Sequence, residues 1–209
     1  DVGKNAVELL NEANEARTVA RFIHPGLTPL ARLDEDGLLA PPHLAACRID
    51  TENGPSILTI TGRGQPSESF QQHDFTTELL KHLSEAGMKE LIVLAGLMST
   101  PEIKEAFAVV TTSSHRVHLE EHGVDVRRDQ PSGGAIGMSA LMASLAPLFG
   151  LKSVCAMATT VGASGDVHAS IRLLEFISKG WNLKVLMPKD ATSSLLSKLN
   201  ELAPNANTD

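Results

Sequence analysis

Ser132-Gly-Gly-Ala-Ile-Gly-Met-Ser-Ala-Leu-Met-Ala-Ser-Leu-Ala-Pro-Leu-Phe-Gly150, followed at once by Lys152-Ser-Val-Cys-Ala-Met-Ala-Thr-Thr-Val-Gly162, is the stretch on which the fold turns. Its first part reads as a glycine-rich loop opening into a helix. From Ile136 to Phe149 nearly every position is small or apolar, leaving no polar face. A helix apolar all round is expected to be buried, and Pro147 with Gly150 should end it. Val154 to Ala158 is an apolar run of strand length, and Gly162 and Gly165 bracket a loop beyond it. Loop, buried helix, buried strand and second loop together predict the centre of a layered α/β domain.

Outward from that centre, strand and helix patterns alternate. The start of the chain carries Ala6, Leu9, Leu10 and Ala13 on one helical face. Val19–His24 reads as a strand, and Leu27–Pro42 as irregular Pro/Gly-rich chain. Leu44–Asp50 and Ser56–Thr61 flank Glu52-Asn53-Gly54, a hairpin signal. Ser69-Phe-Gln-Gln72 matches a capping box before a helix carrying Phe75, Leu79, Leu83 and Ala86. Glu90–Gly96 is the clearest buried strand, and Phe107–Thr112 is another. Ser114 is positioned to cap a short helix running to His122. Asp166 caps a helix whose Ser170, Leu173, Leu174 and Ile177 face inward. Trp181–Met187 fits a last strand or an extended connector, and Ala191–Leu202 an amphipathic helix. The expected architecture is a three-layer α/β sandwich with a mixed, largely parallel sheet. It forms one domain over residues 1–203, with a flexible tail over 204–209.

Composition excludes several functions. The chain of 209 residues has a formal net charge of −7, which disfavours a nucleic-acid partner. Aromatic residues make up 3% and Tyr is absent, so stacking platforms for bases are not available. No run approaches the about 18 apolar residues of a membrane span, and the opening residues lack a signal-peptide pattern. Cys47 and Cys155 fall on expected strands, as buried reduced thiols of a cytoplasmic protein would.

The chemistry-bearing candidates each have a structural alternative. Gly133-Gly134, placed before a helix, can cradle an anion or serve tight turn and packing geometry. Arg63 and Gly64 end a strand, where α/β sheets bind ligands, and Arg63 can clamp a phosphate or carboxylate. A pocket there would also draw on Ser99, Thr159, Thr160 and Asp166, all at or beyond strand ends. His115, His118 and His122 share a helical face at metal-binding spacing, yet their neighbours Arg116, Glu120 and Glu121 suit a solvated face. No G-x-S-x-G elbow occurs, Ser139 sits within the apolar helix, and Cys155 is mid-strand. Asp166 and His168 diverge from a helix and make a poor acid–base pair. No complete catalytic set, metal or cofactor is called for.

Asp1-Val-Gly-Lys-Asn-Ala, Gly62-Arg-Gly-Gln-Pro-Ser67, Leu91-Ile-Val-Leu-Ala-Gly96, Gly133-Gly-Ala-Ile-Gly-Met-Ser-Ala-Leu141 and the Asp166–Ile177 helix resemble, in this order, the proteasome-assembly-chaperone family in its archaeal and bacterial branch. The resemblance implies a sandwich similar to the nucleoside phosphorylase/hydrolase fold. It further implies a non-enzymatic, homo-oligomeric, chaperone-like protein whose partners are proteasome α-subunits or another complex. Some members were labelled ATP-grasp enzymes, but no two-lobed set of phosphate-binding cations and acidic Mg²⁺ ligands can be assembled here. Some archaeal members end in a hydrophobic–Tyr–any-residue tail, whereas this chain ends Asn207-Thr-Asp209. Either another surface binds, or the protein does not dock on proteasomes. The alternative is a phosphorylase- or hydrolase-like enzyme acting on a nucleoside or phosphorylated small molecule at the strand C-termini, as the two glycine loops suggest.

Overall fold

The computed structural model describes residues 1–34, 36–51, 54–162 and 165–188. Helix α1 (Val2–Ala13) is followed by β1 (Arg17–Phe22), the short ribbon β2 (Arg32–Leu33) and β3 (Leu39–Ala40), then β4 (Leu44–Ile49) and β5 (Ile57–Gly62). Next come α2 (Ser69–Glu85), β6 (Glu90–Met98), β7 (Ala106–Val110), α3 (Ser113–Glu121) and α4 (Met138–Leu145). A 3₁₀ turn (Ala146–Phe149), β8 (Lys152–Thr160) and α5 (Val167–Trp181) complete the described elements.

The strands form a three-stranded sheet in the order β1-β4-β5, a separate ribbon β2-β3, and a second three-stranded sheet in the order β6-β8-β7. The mixed sheet is as expected, but it is not largely parallel. Among the described strand pairs only β6–β8 runs parallel; β1–β4, β4–β5, β2–β3 and β7–β8 are antiparallel. The reason is connectivity. A parallel neighbour needs a crossover, and no helix separates β6 from β7, so β7 returns in the opposite sense on the far side of β8.

Period-two alternation splits β8 between two cores. Cys155 and Met157 face Phe75, Leu79, Val93, Phe107 and Met142, beneath α2 and α4. Ala156 and Ala158 face Ala6, Leu9, Leu173 and Leu174, beneath α1 and α5. Helices thus cover both faces of the strand layer, giving three layers. The small residues on the second face let α1 approach closely. A Cβ on Gly3 would stand 2.0 Å from the Leu94 carbonyl oxygen, so only glycine fits there. Buried Ser153 ties the layers together: its hydroxyl donates to Ala143 O (2.7 Å) and meets Thr111 Oγ1 (3.0 Å).

Several local expectations change. The helix expected to be buried over Ile136–Phe149 is the shorter α4 plus the 3₁₀ turn, and only Met138, Met142, Ala143 and Ala146 are buried within it. Ile136 falls in the loop before α4 and is 95% exposed, and Leu148 on the 3₁₀ turn is 79% exposed. Ser69 is the first residue of α2 rather than its cap, and the Gln72 amide donates to Pro66 O at 2.7 Å. Thr112, not Ser114, caps α3, its hydroxyl accepting the His115 N–H. Asp166 caps α5 as expected. β1 begins two residues earlier than the expected strand, at Arg17, and the irregular stretch holds the β2-β3 ribbon. Trp181 closes α5, and the segment behind it is a connector clasped to α1. There the Asn14 side chain donates to Leu186 O (2.9 Å) and accepts from Leu186 N (2.8 Å). The helix expected over Ala191–Leu202, the tail over 204–209 and the Glu52-Asn53 turn lie outside the described residues.

Candidate functional site

The C-terminal ends of β6 and β8 bring four of the expected residues together. Ser99 N donates to Thr160 O (2.8 Å). Thr160 Oγ1 donates to Asp166 Oδ2 (2.6 Å), while Asp166 Oδ1 accepts the Ala169 N–H (2.9 Å). Buried Thr159 accepts from Glu105 N (2.9 Å) and donates to Ile103 O (2.7 Å), and Arg172 Nη2 reaches Thr159 O (2.7 Å). Burial works to raise the Asp166 carboxyl, but the Thr160 and Ala169 hydrogen bonds, with Arg172 and His168 nearby, hold it below the usual carboxylate range. Both carboxylate oxygens are committed to the chain itself. Chemically this is a knot that fixes the strand ends, with no free base at its centre.

Arg63 and Gly64 belong elsewhere. They line a cleft of about 410 Å³ between the β2-β3 ribbon and the ends of β4 and β5, with Leu27, Arg32, Leu33 and Pro42. Gly62 makes that corner possible, since a Cβ there would meet Leu44 Cδ2 at 2.3 Å. The Ser99, Thr159, Thr160 and Asp166 group does not line this cleft, so Arg63 and Gly64 do not share one pocket with it.

Gly133 and Gly134 are not at a helix N-terminus. They sit in an exposed turn, with Gly134 N donating to Pro131 O (2.9 Å), and α4 starts at Met138. There the glycine loop after β5 intervenes: Gln65 Oε1 accepts the Met138 N–H at 3.0 Å. Part of the donor set that an anion would use is thereby occupied. Gln65 escaped the sequence reading; a lone amide in a glycine loop was its only signal.

The histidines separate along the helix axis. His115 is buried, its Nε2 lying 3.3 Å from Glu90 Oε1 and its Nδ1 3.2 Å from Ser153 O. His118 and His122 are exposed, their rings 4.4 Å apart. Among the described residues no three His, Cys, Asp or Glu side chains are grouped to hold a metal. Cys155 is buried, and desolvation pushes its thiol up to about 11. No helix among the described residues is long and apolar enough to cross a membrane.

What the sequence reading missed most is apolar surface. The antiparallel runs of α2 and α4 against β6 and β8 bring the N-terminal ends of both helices to the strand C-terminal edge. Phe70 (71%) in the first turn of α2, Met98 (79%) at the end of β6 and Ile136 in the loop before α4 are exposed, as are Ile103 and Val161.

The sequence model of the PAC2 family matches residues 1–202. No curated protein matches the sequence. Among solved structures the fold is similar to Pyrococcus furiosus PbaB, an archaeal proteasome activator, with TM-score 0.78 and 20% identity over 99% of this chain and 88% of that one. It is also similar to P. furiosus PbaA, an archaeal homolog of proteasome-assembly chaperone (TM-score 0.77, 20% identity, 97% and 86% coverage). A Mycobacterium tuberculosis proteasome-assembly chaperone homologue aligns with TM-score 0.71 and 15% identity over 98% of this chain and 89% of its own. At such identities the structural likeness speaks to the fold. The family match, running from the first residue to beyond the last described one, decides membership: this chain belongs to the PAC2 family.

Proposed function

We propose that this protein is a non-enzymatic, self-associating, chaperone-like binding protein of the cytoplasm that assists assembly of proteasome α-subunits or of another protein complex. Its layered plan would be shared with the nucleoside phosphorylase/hydrolase folds without their chemistry. Neither a membrane nor a nucleic acid is a partner in this reading. The observation that carries it is the exposure of the large apolar side chains Phe70, Met98 and Ile136, at the start of α2, the end of β6 and the loop before α4. Exposed large apolar side chains are available for protein contacts, whereas Thr159, Thr160 and Asp166 are spent on internal hydrogen bonds. Family membership and the chaperone and activator relatives support the same reading. The enzyme alternative rested on the two glycine loops at the strand C-termini; the cleft at Arg63 and Gly64 is not lined by Gly133, Gly134 or Asp166.

Native mass spectrometry tests it, with the protein alone and mixed with proteasome α-subunits from the same source. The expected result is a defined homo-oligomer that captures α-subunits, and loss of capture in an Ile136→Asp, Met98→Asp double variant. An oligomer that ignores α-subunits restricts the reading to another complex; a monomer that binds nothing ends it.

A further inference from the structure

We propose that the cleft between the β2-β3 ribbon and the ends of β4 and β5 is a binding site for a small aliphatic carboxylate, its head group held by Arg63 and Arg32 and its alkyl chain lying on the ribbon leucines. The inference does not rest on the chaperone reading.

Its volume of about 410 Å³ falls within the range of small-molecule sites, about 300–1,000 Å³. The walls are mostly aliphatic, chiefly Leu27, Leu30, Leu33 and Pro42. No Phe or Trp lines the cleft and His43 is the one aromatic ring among its lining residues, so an alkyl chain suits the leucine and proline walls better than a nucleobase.

Charge selects the head group. The two carboxylates at the cleft are already engaged: Asp34 Oδ1 accepts the Asp36 and Leu38 N–H groups (3.1 and 2.8 Å), and Glu8 Oε1 lies 3.5 Å from Lys4 Nζ. His43 Nδ1 is held by Pro41 O at 2.7 Å. Among the described residues, neither Arg32 nor Arg63 has an ion-pair partner within 4.0 Å. Two such guanidinium groups facing an aliphatic trough match an amphiphile with a carboxylate at one end, because a guanidinium fork pairs with a carboxylate through two parallel hydrogen bonds. Gly64 leaves the approach to Arg63 open, since a Cβ there would meet nothing within 4 Å.

The test is isothermal titration calorimetry on the full chain with decanoate below its micellar concentration, beside 1-decanol and inorganic phosphate. Amide chemical-shift mapping accompanies it. Decanoate is expected to bind one to one, shifting Gly62 and Gly64. Arg63→Gln and Arg32→Gln should each weaken it about tenfold or more, the weight of a hydrogen bond to a charged group. Decanol should bind weakly and phosphate alone should be silent. Both arginines are exposed, so the variants should unfold at the wild-type midpoint. Absence of binding, binding untouched by both substitutions, shifts confined to another surface, or phosphate binding as tightly as decanoate would each overturn the proposal.

Discussion

Gly3→Ala sets helix propensity against packing, and the two give opposite signs. In a solvent-exposed helix the change stabilises by up to about 1 kcal/mol. Here a new Cβ would stand 2.0 Å from Leu94 O and 2.6 Å from Leu94 C, both backbone atoms of β6. β6 is paired with β8 along its whole length, so that carbonyl has no rotamer by which to retreat. Relief requires α1 to lift by more than about 1 Å to restore ordinary contact distance. A gap of that size forfeits a quarter to a half of the dispersion energy at each separated contact. Val2, Ala6 and Leu9 lie on the face that lifts. Overpacking costs about 1–3 kcal/mol, and a backbone obstacle places this site at the upper end. After subtracting the propensity gain, about 2 kcal/mol of destabilisation remains. For a chain of this size that lowers Tm by about 4–8 °C. Circular dichroism during thermal unfolding at pH 7 measures it, with Gly180→Ala as the comparator. There the nearest atom is a Val124 methyl at 3.2 Å, which can shift, so Tm should stay within about 4 °C of wild type. A Gly3→Ala protein as stable as the parent, or more so, refutes the close approach of α1 to β6.

Three other outcomes follow from particular contacts. Asp166→Ala removes the α5 cap and the Thr160 acceptor, and urea unfolding at pH 7 should show a loss of about 1–2 kcal/mol. Because the Asp166 carboxyl titrates lower when folded, its stabilisation is present above the unfolded value near 3.8 and is lost as pH falls through the folded one. The wild-type advantage should therefore shrink below about pH 4. Cys155 behaves in the opposite direction: with the folded thiol near 11 against an ordinary 9.0, stability should fall as pH rises across that window, at up to about 1.4 kcal/mol per pH unit. A thiol reagent at pH 8 should leave it unmodified until the protein unfolds. Ile136→Asp alone should leave Tm within about 2 °C of wild type, since its side chain is almost wholly exposed, and thermal unfolding followed by circular dichroism checks it.

The parts of the fold visible in the sequence are those governed by neighbours in the chain. The β4–β5 hairpin paired in the alternation expected of it, Asp166 capped α5, and β6 and β8 were plain as apolar runs. Strand direction was hidden, because the sense of β7 depends on which strand it lies beside. The apolar stretch at α4 illustrates a deeper ambiguity. Hydropathy reports that water is unfavourable at Ile136 and Leu148, but not whether this chain or another molecule excludes it. The candidate site failed for a related reason. Arg63 and Asp166 each lie at a strand end, but β5 and β8 belong to different sheets, and that lateral distance leaves no trace in residue spacing. His115 parted from His118 and His122 because helical angle fixes a face, whereas depth under β8 decides burial.

β1 lies at the margin of its sheet, with nearly every residue open to solvent. Such a margin is where folded proteins begin to polymerise, strand against strand. Here that route is obstructed by its own residues. Any antiparallel self-pairing that sets Val19 against its counterpart also sets Arg17 against Arg21, and an in-register parallel pairing sets each arginine against itself. A register shift between Thr18 and Ala20 further spoils the ladder a newcomer would need. The open β1 strand therefore resists open-ended strand-to-strand polymerisation, whatever closed contacts the rest of the surface makes.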